Sequence, residues 1–246
     1  GVISAYLAQR GVKGTRDSLE GAGGYFNAFA RGAYDPTPLD VKKGDEFKHV
    51  NVTTKPYPSC RVTHMFIDAT RKIMEEHGVT ADQVAKVTLQ VGKFGQVLCV
   101  PEESRKKPSL PMDARFSNPY CVASTLVNGT VGVAQITPQS IKDPKVLAVA
   151  QKIDYVLDES LGVTSIVEPG GVTIELADGR SYYEFVDASL GSPENPLSLD
   201  ALIAKFRDCA SYSRKPLAKE AVDKIIDLCL NLEKVRDIRE IIKFIS

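Results

Sequence analysis

The ten residues Lys55-Pro56-Tyr57-Pro58-Ser59-Cys60-Arg61-Val62-Thr63-His64 bring a cation, a stiff lead-in and a histidine to one helix start. That combination can hold an anion and move a proton. Pro56 and Pro58 each push the preceding residue toward extended backbone. Past Ser59, apolar residues at Val62, Met65, Phe66, Ala69 and Ile73 recur at helical spacing, and Gly78 is placed to stop the helix just after His77. This period puts Cys60, His64 and Asp68 on a stripe facing away from the apolar seam. Lys55 can neutralise an anion, with Ser59 and the following N–H groups as further donors, or else is a solvated loop lysine. His64 is read as the general acid or base, its alternative being a surface or interdomain histidine bonded to Asp68 at i+4. Cys60 is either a substrate contact or a packed, inert thiol.

Two further candidates lie downstream in Asp113-Ala114-Arg115-Phe116-Ser117 and Pro119-Tyr120. Arg115 suits bidentate carboxylate binding, or else pairs with Asp113. Tyr120, in the first turn of its helix, is a proton donor or carboxylate ligand, or else a packing residue. His49 and His77 read as structural, the latter complementing a helix C-terminus. The stretch Arg105-Lys106-Lys107 reads as an exposed loop, and residues 192–198 as a turn and a helix cap.

The elements that must position these groups are helical at both ends and mixed between. Residues 1–32 read as three short helices, one ending near Gly11, one starting at Thr15 and one through Tyr25, Phe26 and Phe29. Residues 33–50 are turn-rich. Strands are expected at 84–91, 153–157, 172–176 and 182–186, the last two joined by an Asp178-Gly179 hairpin turn. Helices are expected from Pro119, capped by Ser117 or Asn118, and from Pro144. Beyond Ser198 the chain reads as helical again. The resulting expectation is an α+β fold, with residues 1–49 and 190–246 as segments of a discontinuous helical domain and 50–189 as an inserted, smaller α+β lid.

With 31 Lys plus Arg against 31 Asp plus Glu, net charge points to neither nucleic acid nor membrane partners. No apolar run is long enough to span a bilayer. Five cysteines without CxxC spacing read as free thiols of a reducing cytoplasm, with no metal site. Gly1 in place of methionine, and helical apolar positions at Ile3 and Leu7 with no cap ahead, lead to the expectation that this is a piece of something longer.

In order along the chain, Leu19-Glu20-Gly21, the Lys55–Cys60 motif with His64 and Asp68-Ala69, Asp113–Ser117 with Pro119-Tyr120, Asp178-Gly179-Arg180, and Gly191–Ser198 with Lys205-Phe206-Arg207 resemble the MmgE/PrpD family. The resemblance implies a helical domain with an α+β lid and an active site in the cleft between them. It also implies a homodimer, no cofactor or metal, and a small di- or tricarboxylate substrate. The chain corresponds to the C-terminal part of the family pattern, with a helical N-terminal half missing. Where some members carry histidine at the end of the Lys-x-aromatic-Pro motif, this chain has Cys60. The activity expected is dehydration of a 2-methylcitrate-like hydroxy acid by proton abstraction next to a carboxylate. Lys55, Ser59, Cys60 and Arg115 would bind substrate, and His64 and Tyr120 would handle protons. Epimerisation of a dicarboxylate such as iminodisuccinate, or an incomplete fragment or subunit, are the alternatives.

Overall fold

A computed structural model describes residues 1–42, 44–45, 52–162 and 168–245; His49 and the expected domain boundary beside it lie outside these. The chain divides into two compact units, residues 1–48 and 49–246.

In the first unit, α1 (Val2–Gln9) and α2 (Tyr25–Ala30) match two of the expected helices. The helix expected from Thr15 is absent: residues 16–20 form turns, closed by the Gly21 amide on the Asp17 carbonyl at 2.9 Å. Gly14, Gly21, Gly23 and Gly24 crowd this stretch, and each weakens a helix by about 1 kcal/mol. Local order comes instead from rings, with Phe26 stacked on Tyr34 at 4.1 Å.

The second unit is built on a four-stranded mixed sheet in the order β2-β1-β3-β4. Its strands are β1 (Val84–Val91), β2 (Ile153–Leu157), β3 (Gly170–Leu176) and β4 (Ser181–Val186). β1 and β2 are parallel, with Leu89 opposite Tyr155; β1–β3 and β3–β4 are antiparallel. Gly179 takes φ +88° in the hairpin turn, which Asp-Gly allows without a Cβ penalty. Alternation along β1 sends Val87, Leu89 and Val91 into the core and leaves Thr88 and Gln90 half-exposed.

The covering helices are α3 (His64–His77), α7 (Asn118–Asn128) and α8 (Pro144–Ala150), with α3 packed on β3, β4 and α7, and α7 on α8. Phe66, Ile67 and Ile73 of α3 are buried with Leu89, Ile153 and Ile174 of the sheet. Each such side chain contributes about 1.5–3 kcal/mol. Ser117 caps α7 by accepting the Tyr120 amide at 3.0 Å, and Asp143 caps α8. Short helices α4 (Lys93–Val97), α5 (Glu102–Lys106) and α6 (Pro111–Arg115) lie between β1 and α7. After the sheet come α9 (Leu199–Ser211), capped by Ser198, then α10 (Lys219–Leu230) and α11 (Arg239–Ile242).

The basic stretch is not an exposed loop. Glu102 and Glu103 open α5 and Arg105 and Lys106 close it, matching the helix dipole. Lys106 is buried and pairs with Asp154 at 3.1 Å and Glu102 at 3.3 Å. Arg105 donates to the carbonyls of Val100, Phe116 and Val97. These residues pin the turn ahead of α7.

Gly191 governs where the Lys55 segment runs. Its carbonyl accepts the Thr54 amide at 2.8 Å, its φ is +88°, and a Cβ there would meet the Thr54 carbonyl oxygen at 1.9 Å. Gly191→Ala is therefore expected to lower stability by at least about 2 kcal/mol in urea unfolding. Gly179→Ala, strained at the same φ but facing open space, should cost clearly less. Equal losses would show that contact with Thr54 does not constrain the segment.

Candidate carboxylate site

The lead-in is not extended throughout, as its prolines predict, but bends over residues 56–59, and it is tied down along its length. The Lys205 Nζ donates to the Lys55 carbonyl, and the Lys55 Nζ donates to the Ser59 carbonyl at 3.0 Å. The Ser59 and Thr63 hydroxyls pair at 2.7 Å, and Thr63 also donates to the Cys60 carbonyl at 2.8 Å. A 3-10 turn, Arg61–Thr63, then feeds α3. The Cys60 amide is spent on the Arg115 carbonyl at 2.8 Å, so that N–H is not free for an anion. The same bond brings the end of α6 against the turn.

His64 does not face outward as the helical period implied. It is fully buried, with the Tyr57 ring edge-on at 5.2 Å, because the lead-in folds back over this side of α3. Asp68, one turn on, is covered too. Its Oδ1 accepts the Tyr57 hydroxyl at 2.6 Å and its Oδ2 the Leu190 amide at 2.7 Å, in place of the expected bond to His64. Burial raises the Asp68 carboxyl above its ordinary range, while these bonds oppose the shift.

Neither imidazole nitrogen of His64 has a hydrogen-bond partner among the described residues. Burial chiefly, with the charges of Arg61, Lys55 and Lys205, holds its pKa down to about 3; the Ser59 carbonyl pulls the other way without reaching hydrogen-bond geometry. The ring is therefore neutral at physiological pH and has two unspent nitrogens. Arg61 Nε and Nη1 and Arg115 Nε are likewise buried without partners. Asp113 does not hold Arg115; it accepts from Ser109 and Leu110 at the start of α6.

Lys55, Ser59 and His64 are thus brought together, and Cys60 and Arg115 join them through one backbone bond. Cys60 is a half-buried free thiol. Tyr120 stands apart, buried in the core with its hydroxyl donated to the Gln135 carbonyl at 2.7 Å and its pKa pushed by burial to about 12. Sequence reasoning missed Arg61 and Lys205 as neighbours of His64. Arg61 was legible as a charge three residues ahead of His64, whereas nothing local connects Lys205 to a lysine 150 positions away. A cleft of about 550 Å³ adjoins the lead-in, lined among others by Tyr57, Arg71, Gln135, Leu190, Lys205 and Asp208.

Among the described residues no three His, Cys, Asp or Glu side chains group to hold a metal, and no helix is long and apolar enough to cross a membrane. All five cysteines are free. Around the buried imidazole of His64 the fold gathers the charges of Arg61, Lys55 and Lys205 and the buried donors of Arg61 and Arg115.

Residues 57–232 match the MmgE/PrpD C-terminal domain, and the chain belongs to the MmgE/PrpD family. It is 25% identical to cis-aconitate decarboxylase of Mus musculus over 248 aligned residues, and 23% identical to that of Homo sapiens over 242. Each alignment covers 96% of this chain and 48% of the relative, so the chain spans about half the length of the curated relatives it matches.

His64 makes stability depend on pH in a definite sense. With a folded pKa of about 3 against an ordinary 6.5, the unfolded chain binds the extra proton between those values. Stability conferred by the neutral ring is present above pH 6.5 and lost as pH falls toward 3. Asp68, with its raised pKa, acts in the opposite sense at the acid end. His64→Gln should flatten the fall by up to ~1.4 kcal/mol per pH unit, read from urea midpoints between pH 7 and 5. Parallel curves for the two proteins would contradict a buried neutral histidine.

Proposed function

We propose that this chain carries one wall of the active site of a cofactor-independent lyase that dehydrates a hydroxy tricarboxylate resembling 2-methylcitrate. The observation that carries the reading is His64, buried and neutral with both nitrogens unspent, under the charges of Lys55, Arg61 and Lys205. Lys55 and Lys205 hold backbone carbonyls, and a substrate carboxylate is the stronger acceptor for each. Binding exchanges those carbonyls for carboxylates and opens the way to His64. The added negative charge also offsets the cations that depress His64, making it a better base once substrate is present.

His64 then takes the proton from the carbon next to a carboxylate. The electron pair moves into that carboxylate, where the lysines and Arg115 stabilise the growing charge. Collapse of this intermediate forms the C=C bond and expels the hydroxyl, which leaves as water after protonation. Tyr120 is the proton donor in this reading, and its use requires its hydroxyl to exchange the Gln135 carbonyl for the substrate. Ser59 and Cys60 complete the contact surface. The reading includes a homodimer and a further helical half of the protein. In it, residues 1–49 and 190–246 belong to one helical domain and 50–189 form the lid.

Decarboxylation is the second reading, supported by the two relatives named cis-aconitate decarboxylase. It passes through the same carboxylate-stabilised carbanion, formed by loss of carbon dioxide instead of a proton. NMR of the whole protein with citrate-like and aconitate-like acids separates the two. Solvent deuterium exchange and water loss are expected, and carbon dioxide release without exchange would replace dehydration by decarboxylation. Lys55→Ala should lower kcat/KM by about 10²-fold. Full turnover by that variant on every acid accepted would remove Lys55 from the site.

A further inference from the structure

Arg61 is the group the site as described does not account for. It lies in the 3-10 turn just ahead of α3, three residues before His64, and its positive charge reaches His64. Its Nε and Nη1 are buried with no hydrogen-bond partner, and Glu194 is the carboxylate whose charge reaches it. Arg61 as a whole is half-buried, but a guanidinium nitrogen taken out of water with its donor unspent is costly, and native structures keep such groups where a partner completes them. Nearby, the Arg115 Nε is likewise buried without a partner among the described residues, and so are both nitrogens of fully buried His64, one a donor and one an acceptor in the neutral ring. Lys55 and Lys205 are already engaged with carbonyls, so Arg61 is the neighbouring cation of His64 whose buried donors stand open.

We infer that Arg61 is a carboxylate-binding residue of this site, holding one carboxylate of the acid while Lys55 holds another. This rests on the carboxylic-acid reading above. It assigns to Arg61 a binding role that its family motif and its helical position do not announce. The burial of the Nε and Nη1 donors in the free protein is offset when the acid arrives, so Arg61 couples substrate binding to the stability of the turn that carries His64. Arg61→Met keeps the stem that packs and removes the donors; Arg61→Lys keeps the charge and removes the fork.

The test is calorimetric titration and thermal unfolding of the whole protein with tricarballylate, using the uncharged triamide as control. Wild type should bind the acid and not the triamide. Arg61→Met should bind at least about tenfold more weakly, with an unfolding temperature without ligand equal to or above that of wild type and a smaller rise when acid is added. Arg61→Lys should fall between. If wild type binds the acid and Arg61→Met binds it equally well, the inference is overturned and the carboxylic-acid reading stands. If Arg61→Met unfolds at lower temperature yet shows an undiminished rise with acid, Arg61 is a structural partner of Glu194 and the inference fails. Wild type that ignores the acid, or binds the triamide as well, overturns the reading itself and the inference with it.

Discussion

The arrangement around His64 depends on the path of residues 54–60. Two prolines stiffen this bent segment, and it is fixed at one end by Thr54 on Gly191 and at the other by Cys60 on Arg115. Between these points it lies over the outer side of α3, and that coverage takes His64 and Asp68 out of water. Without the segment, His64 would be the solvent-facing histidine that helical periodicity implies. With it, the imidazole is neutral and unpartnered, and cations are held close enough to matter electrostatically. Gly191 is what permits the close approach, since a side chain at that position would collide with the Thr54 carbonyl.

The cost of this arrangement is local. Buried donors without partners and like charges near one imidazole each destabilise the folded chain. The sheet and its helices supply the compensation: α3 is anchored by Phe66 and Ile73 on its opposite side, so the helix stays in place even though its outer side is strained electrostatically.

Much of the fold was legible because it rests on local signals. Both buried-face alternation in β1 and the Asp178-Gly179 turn appear in the strands and hairpin as expected, and Ser117 and Pro119 mark the start of α7 where the cap lies. What was not legible depends on distant parts of the chain. Periodicity sees one apolar seam on α3 and cannot see that residues from the lead-in and from Leu190 cover the other side. Lys106 looked exposed because its partner Asp154 lies 48 residues away on β2. Tyr120 was read at a helix start, and what its hydroxyl meets, the Gln135 carbonyl, could be seen only in the folded chain. Lys55 and His64 could be read together because they sit on one short motif, whereas the place of Lys205 beside them needed the folded chain.

The most direct measurement is an NMR titration of the His64 ring in the whole protein, its signal identified by its loss in His64→Gln, with and without saturating tricarballylate. A neutral histidine depressed by burial and neighbouring cations titrates well below 6.5 when free and shifts upward by at least about one unit when carboxylates bind beside it. A ring that titrates near 6.5 and does not respond to the acid would contradict both the burial of His64 and its place in a carboxylate site.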